Sequence, residues 1–332
     1  ALSGDNIFEE TISVGQSSTK PGWAQVFTGY NVGDFGIINN LEFRPIPKGY
    51  SVHERLEEHF GDENITTVFI AGKAGNVGGE CFLPGLDGTP MGEPWCLAKK
   101  GMDIYQNKLG VARGVTNRLN DILEDFSASK LDGERFFMFA HYEEPDFPGI
   151  HFNGANTDEY RREMKIVDDH LGEIMQKLEE LGLADNTVVY VVTDHGAGDG
   201  LAHRNAPYGV FATNEQNVIR EADRMDLAPT WLEFFGLDPN SYSPQILGTS
   251  LYHDYDVGWC IEEGEIFRDY PGAPGCCYGL DLISLDKDYI HGNPVCVAPA
   301  SGVDDMTGYC TNCGDDVCDE LENKCNCPED CL

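Results

Sequence analysis

Positive charge is what this chain of 332 residues has least of: 22 Lys and Arg stand against 57 Asp and Glu, for a formal net charge of -35. So acidic a surface repels a phosphate backbone, which excludes nucleic acid as a bound partner and points to a solvated or cation-rich setting, calcium or high salt. Long apolar runs are also missing. No stretch reaches the roughly eighteen apolar residues that a membrane-spanning helix needs. No leader with a charged start and an apolar middle is visible, which for a cysteine-rich chain reads as a mature form. Cysteine is scarce in the main body, where Cys81 and Cys96 flank a Gly/Pro-rich loop and are expected to pair; ten of the twelve cysteines follow position 259. That terminal density belongs to a disulfide-stapled secreted module, so the expected location is extracellular or the cell surface. The sequon Asn64-Ile65-Thr66 agrees with this placement.

What the chain does have is alternation. Ser51 to Phe60 has helical spacing, Thr66 to Ala71 reads as a strand ending in Gly72-Lys73, and a helix from about Val111 to Phe126 leads to a strand from Phe136 to Tyr142. Tyr160 to Leu181 carries Met164, Val167, Leu171, Ile174, Leu178 and Leu181 at steps of three and four, a helical stripe that Gly182 closes. A β-branched and aromatic run, Val188 to Val192, reads as a buried parallel strand, and Asp226 opens a further amphipathic helix. Strands alternating with helices of this length predict an α/β fold, a mostly parallel sheet sandwiched by helices. From about Trp259 the periodicity fades and Gly, Pro, Cys and Asp take over. The expected domains are 1–258 and a Cys-rich, acidic 259–332.

In parallel sheets, sites form where loops leave the carboxyl ends of strands. Three such ends carry polar residues: Gly72-Lys73, the loop from Tyr142 to His151, and the stretch from Asp194 to His203. Asp146 and His151 come from the second, and Asp194, His195 and His203 from the third. Two carboxylates and three imidazoles are the ligand content of a two-metal site, with zinc as the expected ion.

Four motifs in order resemble the alkaline phosphatase superfamily, in particular its type I phosphodiesterase/nucleotide pyrophosphatase and sulfatase-like branches, from residue 1 to about 255. They are Thr19-x-Pro21 with Thr28-Gly29, the loop from Glu144-Pro145-Asp146 to His151, Thr193-Asp194-His195-Gly196, and Asp226-Leu227-Ala228-Pro229-Thr230 followed by Gly248-Thr249-Ser250-Leu251. The resemblance implies Thr19 as nucleophile between two divalent metals, one held by Asp146, His151 and His203 and the other by Asp194 and His195. Lys20 or Lys73 would add positive charge. The implied function is a secreted phosphoesterase cleaving phosphodiesters or phosphomonoesters through a phospho-threonine. Sulfatase chemistry is disfavoured, because the resemblance requires cysteine or serine at Thr19 and arginine at Trp23. In this superfamily an N-terminal strand also ends in an Asp on the metal of Asp194 and His195, and that strand would lie upstream of Ala1. Without it, another segment of the chain or a second subunit, by self-association, would have to pair with its neighbours. The alternative is a non-catalytic scaffold, surface-layer or filament subunit using the same fold.

The tail from Cys310 to Cys331 is too small for an apolar core and must be held by disulfides. Its interleaved acids leave two readings, a solvated acidic surface or, since a hard cation takes oxygen ligands, a calcium site at some of Asp315, Asp319, Glu322 and Asp330 within a module spanning 309–332.

Overall fold

A computed structural model describes residues 7–12, 18–73, 75, 77, 83–84, 90–91, 94–131, 134–146, 157–196 and 208–253, and shorter pieces between 261 and 331. The chain divides into two compact units, Ala1–Tyr252 and His253–Leu332. In chain order the first unit contains β1 (Ile7–Ile12), α1 (Thr19–Thr28), α2 (Val52–Phe60), β2 (Thr66–Ala71), β3 (Leu83–Pro84), β4 (Pro90–Met91) and β5 (Ile104–Gln106). It continues with α3 (Ala112–Ser127), β6 (Phe136–His141), α4 (Asp158–Glu180), β7 (Tyr190–Val192), β8 (Tyr208–Thr213) and α5 (Leu227–Phe234).

The strand β2 is the axis of the fold, buried at all six positions. It pairs in parallel with β5 on one side and β6 on the other, in register from Thr66↔Phe136 to Ala71↔His141. Side chains alternate across a strand, so its two faces serve two cores. Phe69 and Ala71 pack with Trp23, Val26 and Phe27 of α1, Leu56 of α2 and Trp231 of α5. Val68 and Ile70 pack with Val115, Leu119 and Ile122 of α3 and with Ile174 and Leu178 of α4. Helices therefore cover both faces of a parallel sheet, as the sequence predicts.

Helix starts follow local chemistry. At α2, Ser51 and Glu54 form a reciprocal capping box. At α1 the cap is Ser18, which leaves Thr19 as the first helical residue and Pro21 as the third. Pro21 still lies among the first amides, which have no intrahelical acceptor, so its missing N–H costs nothing. The helix closes at Gly29, whose φ of 72° suits glycine.

Two expectations need correction. The strand read as parallel, β7, pairs antiparallel with β8, which in turn pairs antiparallel with β1; β7 is half-buried rather than buried. A run of β-branched residues records burial on a sheet, and strand direction leaves no mark in it. In α4 the helical stripe is real, but only its second half is covered. Ile174 and Leu178 are buried, Val167, Leu171 and Leu181 are half-buried, and Met164 is 39% exposed. The covered half lies on α3, strapped by a bidentate Arg113–Glu173 pair and by Lys177–Glu124. Period reports which side of a helix is apolar, not how far its support extends.

The second unit has three antiparallel strands, β9 (Ile266–Asp269), β10 (Asp281–Ser284) and β11 (Met306–Thr311), in the order β10-β11-β9. Disulfides join Cys276–Cys310, Cys313–Cys327 and Cys318–Cys331. Cys96 of the first unit is also disulfide-bonded, and Cys81 lies outside the described residues.

Candidate active site

The carboxyl ends of β2, β6 and β7 deliver the polar residues. Gly72 and Lys73 follow β2, and Gly72 N donates to the carbonyl of His141 at the end of β6 at 3.0 Å. From there the β6 loop brings Asp146 to Lys73, whose Nζ lies 2.7 Å from Asp146 Oδ2 with both side chains mostly buried. The loop is tied down by Glu144, whose Oε1 accepts the amide of Ala112 at 3.0 Å. A carboxylate at the first turn of α3 meets unpaired N–H groups and the positive helix end.

After β7 come Asp194 and His195. The His195 Nδ1 lies 2.9 Å from the Gly196 carbonyl oxygen. A carbonyl only accepts, so Nδ1 is the donor in this contact. The other ring nitrogen, Nε2, lies 3.5 Å from Asp194 Oδ2. Asp194 Oδ2 is buried and has no hydrogen-bond partner among the described residues. Burial pushes the Asp194 carboxyl above the usual range, the charge of Asp146 adds to the rise, and His195 and Arg224 oppose it. A carboxylate oxygen and an imidazole nitrogen facing each other in a buried, acidic recess are a donor set that suits a divalent cation. The residues present therefore fit the metal that the sequence predicts.

Helix α1 meets the end of β7 at Gly22. Gly22 stands so close to β7 that a Cβ on it would lie 2.4 Å from the Asp194 carbonyl oxygen and 2.9 Å from Asp194 Cβ. Thr19 stands three residues before Gly22, one turn earlier on the same helix. Thr19 is buried, 5% exposed. With Ser18 as the cap, its hydroxyl is not committed to capping.

Lys20 has a different setting. Its Nζ donates to the Asn40 carbonyl at 3.0 Å and lies 3.3 Å from the centre of the Phe43 ring, while its amide donates to Asn40 Oδ1 at 2.9 Å. Asn40 thus caps α1 from a distant loop, a role the sequence did not reveal. His141 is another residue missed. It is buried at the end of β6, its ring 5.4 Å edge-on from Trp23, with Nδ1 lacking a hydrogen-bond partner among the described residues. Burial, aided by the charge of Lys73, pushes its pKa down to about 3, and it feels both Asp146 and His195. A histidine closing an apolar strand at the edge that holds Lys73 was the available signal.

His151 and His203 lie outside the described residues, as do Asp315, Asp319 and Glu322 of the tail. Among the described residues, one group of three metal-ligating residues has its ligand atoms within 4.8 Å of one another: Cys313, Cys327 and Asp330. Its two cysteines are joined to each other. Their sulfurs are therefore not thiolates and do not make a metal site.

A family model described as type I phosphodiesterase/nucleotide pyrophosphatase matches residues 3–246. The chain is 37% identical over 192 residues to bis(5'-adenosyl)-triphosphatase ENPP4 of Pongo abelii, covering 57% of this chain and 40% of that protein. It is 34% identical over 93 residues to steryl-sulfatase of Rattus norvegicus, covering 26% of this chain and 15% of that one. The chain thus spans less than half the length of these curated relatives. Among solved structures, a candidate sulfatase, yidJ of Bacteroides fragilis, superposes with a TM-score of 0.54 at 11% identity, covering 80% of this chain and 74% of that one. That likeness is one of fold.

Proposed function

Because the chain belongs to the type I phosphodiesterase/nucleotide pyrophosphatase family, we propose that it is a secreted, metal-dependent phosphoric ester hydrolase with Thr19 as its nucleophile. The observation that carries this reading is the facing pair Asp194 Oδ2 and His195 Nε2, 3.5 Å apart, against which the first turn of α1 is pressed through Gly22. Asp194 and His195 would hold one divalent ion, and Asp146, His151 and His203 would hold the other. What the ions supply when bound is charge, which makes a threonine hydroxyl a competent nucleophile and stabilises a leaving oxygen. In the first step the Thr19 oxygen bonds to phosphorus, its proton passes to solvent, and the ester oxygen leaves with its electron pair and takes a proton from water. Water then cleaves the phospho-threonine and restores Thr19. Lys73, held beside Asp146, adds positive charge next to the phosphoryl oxygens.

The substrate class follows the family description, a phosphodiester or a pyrophosphate, as with the dinucleoside triphosphate in the name of the ENPP4 relative. The purified protein supplied with zinc should hydrolyse bis(4-nitrophenyl) phosphate faster than 4-nitrophenyl phosphate, and Thr19→Ala should abolish turnover while leaving zinc bound. Absence of both zinc binding and turnover would reject the enzyme and leave the scaffold reading.

A further inference from the structure

One oxygen atom is the meeting point of three segments. The Asp194 carbonyl oxygen accepts a hydrogen bond from Arg224 Nη1 at 2.6 Å. It also fills the space where a side chain on Gly22 would begin, since a Cβ there would lie 2.4 Å from it and 3.0 Å from the same Arg224 Nη1. Arg224 is 1% exposed. It belongs to a turn of 3-10 helix, Arg224–Asp226, which is itself fixed at both ends. Asp223 and Asp226 form a reciprocal capping box across it, and Asp226 is bound to Arg220 and to the amide of Thr249. The guanidinium is therefore mounted on a rigid support and reaches under the β7 end, between that end and α1.

We propose that Arg224 is a positioning residue: by holding the Asp194 carbonyl oxygen against the side-chain-free face of α1 at Gly22, it fixes the angle at which Asp194 and His195 face Thr19. A main-chain bond is a direct way to do this, because it sets the backbone from which both side chains leave. Gly22 is the counterpart of Arg224, since any side chain there would push the oxygen off the guanidinium. A buried arginine that merely filled space would be replaced by an apolar side chain of similar length, whereas one that holds a carbonyl requires a donor. For turnover the inference rests on the metal reading above; for the β7 end it rests on geometry alone.

The test uses the full chain and the variants Arg224→Met, Arg224→Lys and Gly22→Ala, with amide hydrogen exchange at residues 193–196 measured without metal. Loss of a buried hydrogen bond predicts exchange about tenfold faster there in Arg224→Met, partial recovery in Arg224→Lys, and unchanged exchange in β2. With zinc, Arg224→Met should lower kcat by about 100-fold, a magnitude typical of lost preorganisation, with KM changed little. Wild-type exchange and kcat in Arg224→Met would overturn the proposal. If Arg224→Met fails to fold, Gly22→Ala decides, because it should produce the same local exchange from the opposite side, and unchanged exchange would overturn the idea. A wild-type protein that neither binds zinc nor turns over ester would reject the metal reading, while the exchange comparison would still judge Arg224.

Discussion

Asp226→Asn probes the packing beneath the site. The Asp226 carboxylate is 2% exposed, and Oδ2 receives hydrogen bonds from Arg220 Nη1 at 2.8 Å and from the Asp223 amide at 2.9 Å. Oδ1 accepts the Thr249 amide at 2.9 Å. Asparagine keeps the shape but removes the charge that neutralises Arg220, 5% exposed, and turns one acceptor into a donor facing other donors. Breaking one side of a buried pair costs about 3–5 kcal/mol, because the surviving charge has lost its compensation. Arg220 keeps hydrogen bonds to the carbonyls of Glu221 and Thr249, so the lower end, about 3 kcal/mol, is expected. In a unit of this size each kcal/mol lowers Tm by roughly 2–4 °C, giving a fall of about 10 °C. Calorimetry and urea melts at pH 7 read this directly. Adding Arg220→Met removes the other member of the pair, so the double variant should lose less than the sum of the singles. A loss below about 1 kcal/mol in Asp226→Asn, or strict additivity in the double, would refute the reasoning.

Glu144→Ala should cost about 1–2 kcal/mol, the size of a lost helix cap, because the Ala112 amide at the start of α3 loses its acceptor. Glu144→Gln, which keeps an acceptor, should recover most of that in the same urea melts. Glu57 gives a pH test. Burial, opposed by the Thr67 hydroxyl and aided by Asp103 and Asp62, pushes its pKa from 4.5 up to about 7. The folded protein therefore binds that proton more tightly than the unfolded chain, so the contribution is full below pH 4.5 and is lost as pH rises to about 7. After discounting for partial exposure, the wild type should lose about 1–2 kcal/mol more than Glu57→Gln between pH 5 and 8. Parallel stability curves for the two proteins would contradict this.

The sequence spoke clearly where one segment carries its own evidence. Thr66–Ala71 is predicted and observed with the same ends, because six apolar or β-branched residues bounded by Gly72 need no partner to declare a strand. Asp194 and His195 stand out in the sequence for a related reason, being polar residues placed abruptly after such a run. What stayed hidden depends on partners far along the chain. Arg224 matters through Asp194, thirty positions away, and Asn40 through Lys20, twenty positions away. Lys20 shows the same dependence on distant partners. Next to Thr19 it reads as catalytic charge, and its ammonium also touches the Asn40 carbonyl and the Phe43 ring. Adjacency in sequence gives no direction to a side chain on a helix, where neighbours diverge by about 100°.

The pairing of β2 with β6 works as a ruler. Ala71 stands opposite His141, and the Lys73–Asp146 pair lies just beyond that rung. Both faces of β2 are packed into different cores, so losing one residue would exchange every side chain between cores and draw Lys73 back by about 3.3 Å. Point substitutions in this strand change volume; a deletion changes reach. The length of the segment from Thr66 to Lys73, more than its composition, is thus what a lineage or an engineer must leave untouched to keep a cation beside Asp146.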